Sequence, residues 1–242
     1  MRECRSEGFQ ALAFGTVAFL GAIAVWSEIT LCSFHLTSVA KLLQTITLAW
    51  AVKCWADESV GAAQDYARLL AAGLAFSIAG DFFLMGILDR ESRAVLATGI
   101  LSFTFTQMFY ARALHRVGNR PSAAQFALFM IAFPLLAIAN HWTLQVPLNL
   151  AFGSAAYTIF LGVSVAYATA GLRNENLPFG CRRAAALGAW LFALTDGFLP
   201  VVLYGPQAGI QIPHLGLWVY QAYVISQCFY ALSAFWLEST EA

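Results

Sequence analysis

Apolar runs of about 20 residues, each long enough to cross a hydrocarbon core, recur along the chain with short polar breaks between them. They fall at Phe9–Trp26, Leu36–Trp55, Ala67–Leu88, Ala94–Leu114, Ala123–His141, Val146–Ala170, Ala184–Tyr204 and His214–Leu237. Only a helix satisfies its own backbone in lipid without help from neighbours. The alternating ten-residue segments of a barrel are absent from the sequence. The pattern therefore predicts an all-α polytopic bundle with about eight transmembrane helices.

The breaks carry turn and charge signals. Asp57-Glu58-Ser59 follows the second run, Asp89-Arg90-Glu91-Ser92-Arg93 the third, and Gly118-Asn119-Arg120-Pro121 the fourth. Asn174-Glu175-Asn176 with Pro178 and Gly180 follows the sixth, and Gly205-Pro206 with Pro213 the seventh. None is long enough for a soluble domain, so residues 1–242 read as a single integral membrane domain. The first run has the length of a signal peptide, but Trp26-Ser27-Glu28 offers no small-residue cleavage site, and a retained span is expected.

Arg2, Arg5, Lys53, Arg68, Arg112, Arg116, Arg120, Arg173, Arg182 and Arg183 fall at the N-terminus and around the breaks after the second, fourth and sixth runs. The opposite side holds Arg90 and Arg93. Positive charge favours the cytoplasmic side, and an even number of spans then puts both termini there. A bacterial inner membrane and an endoplasmic reticulum membrane both fit this bias.

Composition agrees. The 242 residues are 60% hydrophobic and 11% charged, against about 25% charged in soluble domains. A formal net charge of zero gives no electrostatic case for a nucleic-acid partner. Cys4, Cys32, Cys54, Cys181 and Cys228 are scattered without a C-x-x-C pair, which argues against a disulfide framework or a zinc site. His35, His115, His141 and His214 lie at helix ends on both sides and read as interfacial residues, not as one metal site. The sequence lacks G-x-S-x-G, H-E-x-x-H and a phosphate-cradling glycine loop. No metal or cofactor is called for.

Against this background three ionisable residues inside apolar runs stand out: Lys41, Asp81 and Asp196. A charge at the bilayer centre costs roughly 2.5–3.5 kcal/mol on insertion scales and is kept where it is paired, hydrated or functional. In the expected topology all three sit at similar depth in the outer half. Gly80-Asp81-Phe82-Phe83-Leu84 and Thr195-Asp196-Gly197-Phe198-Leu199 also share their pattern on helices of the same direction. This hints at a four-helix duplication, although the remaining halves match poorly. Pro200 has no N–H to give the Asp196 carbonyl, which leaves a polar group beside that carboxylate; an ordinary proline kink accounts for it as well.

The last run places Tyr220, Tyr223, Gln227, Tyr230 and Ser233 on one helix face. A glutamine in mid-span needs polar partners, so Gln227 and Tyr223 are candidates for a pocket. Gln107 and Tyr110 in the fourth run and Tyr157 in the sixth are added to them. On residues alone, an acid–base enzyme, a proton-coupled transporter and a scaffold glued by these groups are all open.

These residues resemble the YhhN-like family of multi-pass membrane proteins, the lysoplasmalogenases. The family's marks are matched by Lys41, by Gly80-Asp81 with Leu84, by Phe192-Ala193 with Thr195-Asp196, and by Tyr223 with Gln227. The likeness runs from about Lys41 to Ser233. Leu42 stands where the family often has proline, Gln107 where it usually has histidine, and Thr195 where it has serine. The resemblance implies hydrolysis of the vinyl-ether bond of a lysoplasmalogen to a fatty aldehyde and a glycerophospho-alcohol. Asp81 would be the ionised base, Asp196 the acid, and Lys41 a partner of the ionised carboxylate or of the phosphate. Gln107, Tyr110, Tyr157, Tyr223 and Gln227 would contact the lysophospholipid substrate. A homo-oligomer is neither required nor opposed.

Overall fold

Helices dominate because each apolar run must close its backbone hydrogen bonds internally. A computed structural model describes residues 2–31, 34–84 and 92–238, and among these there is no strand. The helices are α1 (Arg2–Thr30), α2 (Phe34–Glu58), α3 (Gly61–Leu84), α4 (Arg93–Arg116), α5 (Ala123–Leu144), α6 (Leu148–Gly171), α7 (Phe179–Tyr204) and α8 (Leu215–Glu238). Every predicted run is therefore a helix, with ends that differ. α3 starts at Gly61, not Ala67, and α7 at Phe179, not Ala184. Polar residues such as Gln64, Asp65, Arg182 and Arg183 continue these helices beyond the apolar stretch. The predicted end of the third run at Leu88 and the Asp89–Glu91 part of its turn lie outside the described residues, as does Cys32.

Six of the helices, α1 and α3 to α7, are long and apolar enough on their own to cross a membrane. Among the described residues α2 and α8 fall short of that measure, and the reason is visible in their polar residues. They carry Lys41, Gln44, Thr45 and Tyr220, Gln221, Gln227, which turn inward to polar partners and lower the helices' hydrophobicity.

Helix packing closes a ring: α2 on α3, α3 on α4, α4 on α6, α6 on α7, α7 on α8, and α8 back on α2. α1 lies outside it against α2 and α8, and α5 outside it against α6 and α7. The duplication reaches further than the aspartate motifs. Thr106-Gln107-Met108-Phe109-Tyr110-Ala111 on α4 is echoed by Ser226-Gln227-Cys228-Phe229-Tyr230-Ala231 on α8. The rings of Tyr110 and Tyr230 meet with centroids 4.2 Å apart. Each is seated against a glycine of the preceding aspartate helix. A Cβ on Gly73 would stand 2.4 Å from the Tyr110 ring, and one on Gly188 would stand 3.1 Å from the Tyr230 ring. Small residues at helix crossings are how membrane helices approach closely.

Candidate active site

The ends of α1, α3 and α7 and the starts of α2, α4 and α8 surround a cavity of about 730 Å³. Glu28, Lys41, Asp81 and Asp196 are its charged lining residues, with Ser38, Thr195, Tyr220 and Tyr223 beside them. The three ionisable residues singled out from the sequence thus share one chamber, at the bundle end away from the arginine-rich turns.

Asp81 is 5% exposed, on the inner side of α3. Its Oδ2 accepts hydrogen bonds from the hydroxyls of Thr45 at 3.0 Å and Tyr223 at 3.2 Å. Tyr220 stands 3.4 Å away, but its single proton has a nearer acceptor in the Lys41 carbonyl at 2.8 Å. Thr45 follows Lys41 by one helical turn, so one face of α2 supplies both the amine and a carboxylate donor. Lys41 Nζ lies 3.8 Å from Glu28 Oε2 and 5.0 Å from the centre of the Tyr220 ring, within cation–π range.

Asp196 is half-buried on α7 and accepts a hydrogen bond from the Tyr157 hydroxyl of α6. It also lines a second, smaller cavity of about 110 Å³ between α4, α5, α6, α7 and the end of α3. That crevice is walled by Phe133, Leu136, Leu150, Leu161 and other apolar groups. Leu84, Phe103, Asp196 and Leu203 belong to both cavities. The chamber that holds the charged residues and the apolar crevice therefore share a wall, and Asp196 is the one charged residue in it. Pro200 lines the crevice one turn beyond Asp196, where the carbonyl of Asp196 has no N–H to accept from.

Of the residues expected to contact a substrate, Lys41 and Tyr223 line the chamber and Tyr157 lines the crevice. Gln107, Tyr110 and Gln227 line neither and form a fully buried layer behind them. Tyr110 donates to Gln227 Oε1 at 2.5 Å, and Gln227 Nε2 donates to Ser77 Oγ at 3.3 Å. Gln107 Oε1 accepts from Ser164 at 2.5 Å. Gln227 thus finds partners for both ends of its amide on neighbouring helices, whereas Gln107 Nε2 stays buried without a hydrogen-bond acceptor. Glu28, Thr45 and Tyr220 were missed. Thr45 was readable from its spacing to Lys41 and Tyr220 from the α8 stripe, whereas nothing marked Glu28.

A bundle of apolar helices around a chamber lined by charged residues defines a polytopic membrane protein with an ionisable site inside it. The chain belongs to the YhhN family, whose model matches residues 36–234. The match takes in α2 to α7 and most of α8, with Lys41, Asp81 and Asp196 included and Glu28 outside it. No curated protein and no solved structure matches the chain.

Proposed function

We propose that the protein hydrolyses the vinyl-ether bond of lysoplasmalogens, releasing a fatty aldehyde and a glycerophospho-alcohol. The observation that carries this reading is that Asp196 lines both the chamber holding Lys41, Asp81 and Glu28 and the apolar crevice beside it. A single-chain lysolipid has that same division, with its scissile bond where headgroup and tail join. Membership of the YhhN family is consistent with it.

Two carboxylates suffice for the chemistry. Asp196, facing the crevice with one phenol as its hydrogen-bond partner, gives a proton to the outer vinyl carbon. The carbon bonded to the ether oxygen becomes an oxocarbenium ion, as in other acid-catalysed enol-ether and glycoside cleavages. Asp81, whose Oδ2 accepts from the Thr45 and Tyr223 hydroxyls, acts as the base and takes a proton from the water that adds to this carbon. The resulting hemiacetal then collapses. Its hydroxyl proton returns to Asp196, the bond to the glycerol oxygen breaks, and Asp81 hands its proton to that oxygen. Both aspartates end as they began. Lys41 would hold the phosphate at the chamber mouth.

In this reading all eight helices cross the membrane, both termini are cytoplasmic, and the chamber opens on the opposite side of an endoplasmic reticulum or bacterial inner membrane. The test is aldehyde release from a lysoplasmalogen by detergent-purified protein. Asp81→Asn and Asp196→Asn should each lower kcat by about 100-fold or more, the usual scale for a lost acid or base. Unchanged turnover in either variant would rule out the paired-carboxylate mechanism. Proton-linked lipid flux in liposomes, with no aldehyde formed, would replace the hydrolase by a carrier.

A further inference from the structure

The ion pair at the chamber mouth has no part in the bond-breaking steps, yet it is built with care. The last turn of α1 is pinned to the start of α2 by a hydrogen bond between the buried hydroxyls of Ser27 and Thr37 at 2.8 Å. Ser27 also donates to the Ala24 carbonyl, which fixes its rotamer. This staple holds Glu28, next to Ser27, opposite Lys41 on the chamber wall. The contact itself is loose. At 3.8 Å, with side chains 30% and 14% exposed, it is a charge pair that a ligand can part at little cost.

The charges also exclude a class of ligand. Three carboxylates and one amine face the chamber among the described residues. A wholly anionic headgroup would gain Lys41 and meet Glu28 as a like charge. A zwitterionic headgroup carries its cation a few ångströms from its phosphate, the same order of separation as the Glu28–Lys41 pair. The ring of Tyr220, already under Lys41, adds an aromatic face of the kind that receives ammonium groups.

We propose that Glu28 is a specificity-determining residue: it takes the ammonium of a zwitterionic glycerophospho-alcohol headgroup while Lys41 takes the phosphate, and it disfavours lysolipids with anionic headgroups. This rests on the lysolipid reading of the chamber but not on the hydrolysis of any bond. Glu28 lies on α1, upstream of the family-matched segment.

Binding of saturated-ether lysolipids, which have no vinyl bond to cleave, tests it on the full chain in nanodiscs. 1-O-alkyl-glycerophosphocholine should bind the wild type at least about tenfold more tightly than 1-O-alkyl-glycerol 3-phosphate, the effect of one well-placed charge in a partly desolvated site. Glu28→Gln should cut that ratio to within about threefold, chiefly by improving the anionic ligand and weakening the zwitterionic one. Glu28→Asp should keep most of it. Equal binding of the two ligands by wild type, binding of neither, or an unchanged ratio in Glu28→Gln would overturn the proposal. If Glu28→Gln does not fold, competition by glycerophosphocholine and glycerol 3-phosphate on wild type reads the same preference, and equal competition defeats it. Selective binding without aldehyde release would sink the hydrolase reading alone.

Discussion

When the acid of the proposed reaction gives up its proton, a carboxylate is left behind, and the Tyr157 phenol is already directed at it. That hydrogen bond strengthens as charge develops on Asp196, so it belongs to the transition state more than to the bound substrate. Tyr157→Phe should therefore lower kcat by about 10- to 100-fold, the worth of a hydrogen bond to a charged group, with KM nearly unchanged. Aldehyde-release kinetics on both proteins measure the split. A raised KM with intact kcat would show that Tyr157 only binds. Lys41, Asp81 and Asp196 were legible because a charge in an apolar run has no innocent neighbours in sequence. Glu28 was illegible for the opposite reason: an acid in the last turn of a first helix looks like any solvated end. The mid-span Gln227 signals a need for polar partners, but sequence alone does not say whether the partner is a ligand or another helix.

Between helices, one of the tightest approaches is that of Gly73 to the Tyr110 ring. Gly73 leaves no room for a Cβ against Tyr110, whose hydroxyl in turn fixes Gln227 behind the chamber. Gly73→Ala should cost about 1–3 kcal/mol, the usual penalty of overpacking a filled core. Gly153→Ala on α6, where a Cβ meets nothing within 4 Å, should leave stability unchanged or slightly raised. Thermal unfolding of the two variants in detergent checks this, and equal midpoints would show that the α3–α4 seam relaxes freely. Helix existence was legible from run length, and helix ends less so, because the polar starts of α3 and α7 give no apolar signal. The echo of Gly73 and Tyr110 in Gly188 and Tyr230 was hidden by its spread. It shows only when α3 with α4 is set against α7 with α8.

On the scale of the molecule, the chamber is lined by five helices of the ring together with the end of α1, and the crevice joins it beside α5, which lies outside the ring. No pattern in a single helix encodes that junction, since its walls come from five helices, α3 to α7. Its consequence is a limit on what can lie beside Asp196. Gly197, the next residue, lines the crevice, and a Cβ there meets no atom within 4 Å. The position is thus open to a larger side chain without strain on the backbone. A leucine in its place would take up much of the roughly 110 Å³ available and leave the polar chamber untouched. If the crevice seats the alkenyl chain, Gly197→Leu should lower kcat/KM for a long-chain lysoplasmalogen by about tenfold or more. It should lower it far less for a short-chain one, since buried methylenes are each worth about 0.8 kcal/mol. The ratio of the two kcat/KM values, with Gly197→Ala as the control that adds only a methyl group, separates a lost tail seat from damage to the neighbouring acid. Equal losses on both chain lengths would place the tail elsewhere, and with it the scissile bond.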